Sequence, residues 1–196
     1  MTGGRSRARS LPCKRVRAAS IAAPLAPRSG LAAATTVRTV PNQTEGHPAR
    51  EDPPAKKDMS RWLGDAGMPI LAALGVAFDD YGIEDDDRAG WATASWEPTA
   101  VACNPQGIVQ AGVHAVVLDA AMSFAVNAGL SGKDRTGAAL ELKTETMRPA
   151  NAGERLAVRG AVMRQAKQVA FAEARIEDAK GRLVSRSTGT FLVQRG

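Results

Sequence analysis

Cysteine, histidine and aromatic residues are all scarce in this chain of 196 residues, and each scarcity closes a class of function. The two cysteines, Cys13 and Cys103, fall one near the N-terminus and one in mid-chain. No framework of disulfides can be built from them, which suits a reducing compartment, so a cytoplasmic protein is expected. The only histidines are His47 and His114. A Ser-His-Asp triad would need His114 beside Asp119, yet five helical residues at about 100° each set them roughly 140° apart. His114 is therefore expected to be a packed or interface residue. No Gly-x-Ser-x-Gly elbow is present. No cluster of His, Cys and carboxylates has metal-ligand spacing, and no cofactor is expected. Gly132-Lys133 lacks the earlier glycine and the following Ser/Thr of a phosphate loop and reads as a turn. The acidic run Glu84–Asp87 lacks the alternating ligands of a calcium loop and reads as a solvated hairpin tip.

Four Phe, three Trp and one Tyr are too few and too scattered for base stacking. The sequence pI near 9.8 points toward nucleic acid, but the charge is uneven. Residues 1–58 carry 11 Lys/Arg against 4 Asp/Glu, which leaves 15 against 16 for residues 59–196. The second part is nearly neutral, so no basic groove for phosphates is indicated and nucleic acid is not expected as a partner. Nor does any apolar run approach the roughly 18 uncharged residues of a membrane-spanning helix; no membrane partner is expected.

Residues 1–58 are rich in Arg, Ala, Ser, Pro and Thr, with no acidic residue before Glu45 and no amphipathic period. They read as a disordered basic tail or translated upstream sequence, with Met59 as the true start. A transit-peptide-like leader is the alternative. A secretory signal fits badly, because Pro24 and Pro27 interrupt the apolar stretch. The domain is expected to span residues 59–196. It opens on a helical segment with Trp62, Leu63, Ile70, Leu71 and Leu74 as its apolar side, divided at Pro69. Two strands, 76–87 and 90–98, follow. After a long apolar segment, 113–130, four strands are expected over 138–147, 154–164, 168–178 and 181–193. They alternate with period two: Leu140, Leu142 and Thr144 inward in the first, Leu156, Val158 and Val162 in the second, Ala170 to Ile176 in the third. One polar face and one apolar face mark an antiparallel sheet covered on one side. The order predicts an α+β fold with the sheet wrapped around the one long helix.

The stretch from Asn104 to Asp119, NPQGIVQAGVHAVVLD, holds the chemistry that remains. A Pro/Gly-punctuated loop leads into a helix that is apolar all round, as a helix buried on every side must be. Asp119 is its only charged residue. Burying a lone carboxylate costs several kcal/mol, or shifts its pKa, unless something compensates. Asp119, Ser123 and Asn127 recur at i, i+4 and i+8 as one polar stripe. The stripe faces either a subunit interface or a cleft, where Ser123 would touch substrate. Gln110-Ala111-Gly112 stands at the helix start, where free N–H groups and the dipole favour developing negative charge. A carboxylate and an oxyanion-binding helix terminus are the two parts that acyl transfer requires.

The pattern Asn104 … Gly107 … Gln110-Ala111-Gly112 … Leu118-Asp119-Ala120-Ala121-Met122 resembles the active-site segment of hotdog-fold thioesterases of the phenylacetic-acid-degradation type. Leu140-Glu141-Leu142-Lys143 … Met147-Arg148-Pro149 and Gly181-Arg182-Leu183-Val184 … Gly189-Thr190-Phe191 are similar to later parts of that family. The resemblance covers roughly Met59 to Val193. It implies a long helix wrapped by an antiparallel sheet, assembly into homodimers or dimers of dimers, and hydrolysis of acyl-coenzyme A thioesters. Asp119 would be the base or nucleophile, and Asn104 would help hold the water or the thioester. Gln110, Ala111 and Gly112 would occupy the place of a His-Gly-Gly triplet, with the Ala111 N–H polarising the thioester carbonyl. Acid and oxyanion donor would come from opposite subunits. Arg148, Arg164 and Lys167 are candidates for the coenzyme phosphates. The chain departs from the family at Gln110 and Ala111, and Ala139 stands where the family places a Ser or Thr. A catalytically idle hotdog protein that binds acyl-CoA or assembles with partners is the alternative.

Overall fold

A computed structural model of the chain describes residues 57–84 and 89–196. The expectations for residues 1–56 and for the acidic tip beyond Glu84 lie outside them. A 3-10 turn, Ser60–Trp62, is followed by helix α1, Pro69–Leu74. Pro69 is the first residue of α1, where a missing N–H costs nothing. Gly75 ends it in the left-handed region at φ 82°. Six residues bury only an i, i+3 pair, and that pair is Leu71 and Leu74. Leu63 and Ile70, expected inside, are 39% and 53% exposed.

Strands β1 (Val76–Glu84) and β2 (Ala89–Trp96) form an antiparallel hairpin. Helix α2, Ala111–Gly129, follows. Strands β3 (Arg135–Thr146), β4 (Leu156–Gln165), β5 (Val169–Asp178) and β6 (Leu183–Gln194) complete one antiparallel sheet in the order β1-β2-β4-β5-β6-β3. The expected α+β architecture, a long helix wrapped by a six-stranded sheet, is the architecture found.

Two glycines let the helix lie against the sheet. A Cβ on Gly160 of β4 would stand 2.3 Å from the Ala121 carbonyl oxygen, and one on Gly90 of β2 would stand 2.0 Å from that of Ala125. Around this contact the inward residues of β2, β4, β5 and β6 meet Leu118, Met122 and Val126, all fully buried. Phe124 stacks on Phe78 at 4.4 Å and 19° between planes. α2 is long and apolar enough to cross a membrane by length and composition, which qualifies the expectation that no run would be. Most of it is buried by the chain's own sheet, as a core helix is.

β3 departs from its expected alternation. Its pairing with β6 shifts register between Thr136 and Ala139 and again between Ala139 and Glu141, and such bulges break a period of two. It is also the last strand of the sheet. Leu140 and Leu142 are 58% and 41% exposed, although Leu142 lies over Gly189 on the side that faces the core. Thr144 is half-buried as expected, with its hydroxyl 3.1 Å from that of Ser187.

Candidate active site

The loop before α2 is held by Asn104. Its Oδ1 accepts the N–H groups of Gln106 (3.0 Å) and Ile108 (3.1 Å), a local turn of the kind asparagine favours. Gly107, at φ 78°, supplies the left-handed residue the turn needs. The returning strand is anchored where Val109 N–H donates to Ala150 and Gln110 N–H to Ala102. The Asn104 side chain therefore shapes the loop through its oxygen, and its amide N–H2 stays outside that turn.

Gln110 is the N-cap of α2, with an extended backbone (φ −65°, ψ 134°) and no side-chain cap. Ala111 and Gly112 are exposed, and their N–H groups belong to the first turn, which has no intrahelical acceptor for them. Ala111 is not in the left-handed region. Glycine is therefore not required there, and alanine presents the same N–H. Gly112 has open space around the position of a Cβ.

Asp119 lies two turns further along. Its side chain is half-buried, and its Oδ1 is buried with no hydrogen-bond partner. Burial pushes the carboxyl above the ordinary aspartate range, and nothing offsets that push. The other two members of the stripe are satisfied within the fold. Ser123 Oγ is 3.3 Å from Thr136 Oγ1. Asn127 donates to Ser123 O (2.9 Å) and to Thr136 Oγ1, and accepts Thr136 N–H at 3.1 Å. Ser123 is thus tied to the start of β3, and Asp119 alone is left over. Thr136 is the residue that sequence reasoning missed. It supplies a hydroxyl from β3, but beside Ser123 and Asn127; four helical residues back toward Asp119 is about 6 Å, or two strand residues, which leads toward the alanines at 138 and 139.

His114 is packed, as expected. It is 1% exposed, sits edge-on to Trp96 at 5.4 Å, and has a buried Nδ1 without a partner; burial lowers its pKa. The three candidate phosphate ligands are not brought together within one chain. Arg148 donates to Leu183 O at 2.6 Å, closing the end of β3 onto β6. Arg164 and Lys167 stand at the β4–β5 hairpin, at the other end of the sheet, both exposed.

Eight helical residues separate Ala111 from Asp119, about 12 Å along the axis. One chain therefore sets the start of the helix too far from Asp119 for both to touch one carbonyl group.

The fold and this segment are similar to those of one class of protein. The family model of the thioesterase superfamily matches residues 106–185, which contain α2 and the loop before it from Gln106 onward, but not Asn104. The chain has the hotdog fold, and solved thioesterases share it. A thioesterase of Haemophilus influenzae is 16% identical, with a TM-score of 0.60 over 71% of this chain and 92% of that one. More particularly, a phenylacetic acid degradation-related protein of Ralstonia eutropha is 26% identical, with a TM-score of 0.58 over 69% of this chain and 99% of that one. The PaaI protein of Escherichia coli is 22% identical, with a TM-score of 0.54 over 66% and 87%. No curated protein matches the chain. The resemblance read from the sequence, to hotdog thioesterases of the phenylacetic-acid-degradation type, is thus met by family model and structure alike. Thioester hydrolysis is the general activity these likenesses support.

Proposed function

We propose that the protein hydrolyses acyl-coenzyme A thioesters to the free acid and coenzyme A, with Asp119 as general base or nucleophile. The observation that carries this reading is the lone buried carboxylate oxygen of Asp119, left without a partner on the central helix of a thioesterase fold. Structural needs account for Ser123 and Asn127 but not for it. A thiolate leaves readily, its thiol having a pKa of roughly 8.5, so no strong general acid is required. Asp119 in its ionised form takes a proton from water, or attacks the carbonyl to form an anhydride. The Ala111 N–H and the helix terminus hold the oxyanion.

On this reading the acid and the N–H donors come from two copies of the chain, with the start of one helix beside Asp119 of the other. The apolar side chains of Leu140 and Leu142 on the edge strand support a surface meant to be covered. The Gln110 amide can still donate a hydrogen bond toward the substrate but carries no proton charge. Arg164 and Lys167, exposed at the hairpin, remain candidates to meet the coenzyme phosphates; Arg148 holds Leu183 through one Nη and keeps its other donors for that role.

The test is thiol release from a panel of aryl- and aliphatic acyl-CoAs by wild type and Asp119→Asn, with sedimentation of both. We expect turnover in wild type, a loss of about 10²–10⁴-fold in the variant, and two or more copies per particle in each. Undiminished turnover in the variant, or an active monomer, would sink the assignment. Coenzyme-linked thermal stabilisation without thiol release from any member of the panel would leave the idle binder instead.

A further inference from the structure

We propose that the face of the sheet turned away from α2 carries a second ligand site, a row of three arginines that takes an anion with two or more phosphoryl groups. Strand pairing sets Arg159 of β4 directly opposite Arg175 of β5, and Arg175 directly opposite Arg186 of β6. Neighbouring strands lie about 4.8 Å apart, so the three stems span about 10 Å in a line. Like charges directly opposite one another oppose sheet formation. Here each of the three is offset by one carboxylate, Glu84, Glu177 and Glu145 in turn.

The row lies in a concavity of about 360 Å³. Its lining holds four cations, Lys143 and the three arginines, with two carboxylates, Glu145 and Glu173, and Glu84 and Glu177 pair with Arg159 and Arg175 beside it. Each arginine is steadied at one edge and open at the other. Arg175 and Arg186 use Nε to meet Glu177 (3.2 Å) and Glu145 (2.8 Å), and their terminal Nη groups, with four donors each, are not the atoms of those pairs. Arg159 meets Glu84 through Nη2 at 3.0 Å and lies over the Trp91 ring at 5.2 Å. Planar forks held by one edge are the groups that grip phosphoryl oxygens in pairs. In the next register row, Thr188 stands between Glu173 and Lys143 and adds a hydroxyl. A single phosphate would reach one fork or two; a linear di- or triphosphate matches the length of the row. The site is independent of Asp119, which belongs to the helix on the other face.

The probe is inorganic tripolyphosphate, titrated calorimetrically into the full chain at low salt. The basic residues of 1–58 also attract such an anion, so the quantity read is the affinity lost on substitution. Arg175→Gln is expected to weaken binding by about tenfold or more, the worth of a charged bidentate contact. The charge-matched control Arg15→Gln should weaken it by less than about twofold. Thiol release and thermal unfolding should be unchanged in Arg175→Gln. Equal losses in the two variants, or no binding by wild type, overturn the proposal. So does a change in the number of copies per particle in Arg175→Gln, which would make the row an interface between copies.

Discussion

Replacing Ala111 by proline would delete one N–H from the first turn of α2 and change little else. Ala111 is the first helical residue, the position where proline is best tolerated because its N–H has no intrahelical acceptor. The residue before a proline must be extended, and Gln110 already is, at φ −65° and ψ 134°. Ala111 is exposed, so the ring meets solvent. The cost in folding should therefore stay within about 0.5 kcal/mol, as for ordinary surface substitutions. If the Ala111 N–H holds the oxyanion, losing that one donor should lower kcat by about 10²–10³-fold, or about 2.7–4 kcal/mol of transition-state stabilisation. Ala111→Gly keeps the N–H and, because Ala111 does not sit at positive φ, gains no new conformation that it needs. That variant should retain turnover within about threefold, since a first-turn glycine costs well under its interior penalty of about 1 kcal/mol. The assay is kcat for thiol release alongside a melting curve for each variant. A folded Ala111→Pro protein with full turnover would refute the oxyanion role. So would an equal loss in Ala111→Gly, because the N–H would not be what mattered.

Two further outcomes follow from the packing. Asp119→Asn should raise stability at pH 7 by about 1 kcal/mol, the charged part of burying an unpartnered carboxylate oxygen on a half-exposed side chain, or about 3 °C in Tm. The sign follows from burial: the folded-state pKa is raised, so wild type is free of the penalty at low pH and acquires it as pH rises through that pKa. The gap between variant and wild type should accordingly close below the ordinary aspartate range; a gap that does not depend on pH would show that ionisation is not its cause. Gly160→Ala drives a Cβ to 2.3 Å from the Ala121 carbonyl, and should cost about 3 kcal/mol or more in denaturant unfolding, whereas an unchanged midpoint would mean that α2 has room to move off the sheet.

What could be read in the sequence and what could not divide along a physical line. Periodicity belongs to single elements, so α2 and the strands with regular alternation were legible. Leu156, Val158 and Val162 point inward as their spacing requires. Asp119 was legible for the same reason: one charge in an otherwise apolar helix needs no partner to be conspicuous. Register belongs to pairs of elements and leaves no mark in either strand alone. The bulges that take β3 off its period, the meeting of Thr136 with Ser123 and Asn127, and the alignment of Arg159, Arg175 and Arg186 are all of that kind.

Three features of the single chain share one physical signature. Asp119 has a buried oxygen with no donor, the N–H groups of Ala111 and Gly112 have no intrahelical acceptor, and Leu142 faces the core side of a strand yet is 41% exposed. Separately, each has a local excuse: partial burial, a helix end, an edge strand. Together they are complementary, an acid, a donor pair and an apolar edge, each lacking what another region of the same molecule offers. Within one chain, about 12 Å of helix stands between acid and donor. The second copy in the function proposed above would, if related by a two-fold axis, present each surface to its counterpart, as an isologous contact does. The departures at Gln110 and Ala111 leave that complementarity untouched, for the backbone donor survives both. They bear on how fast the proposed site works, and not on whether its parts can meet.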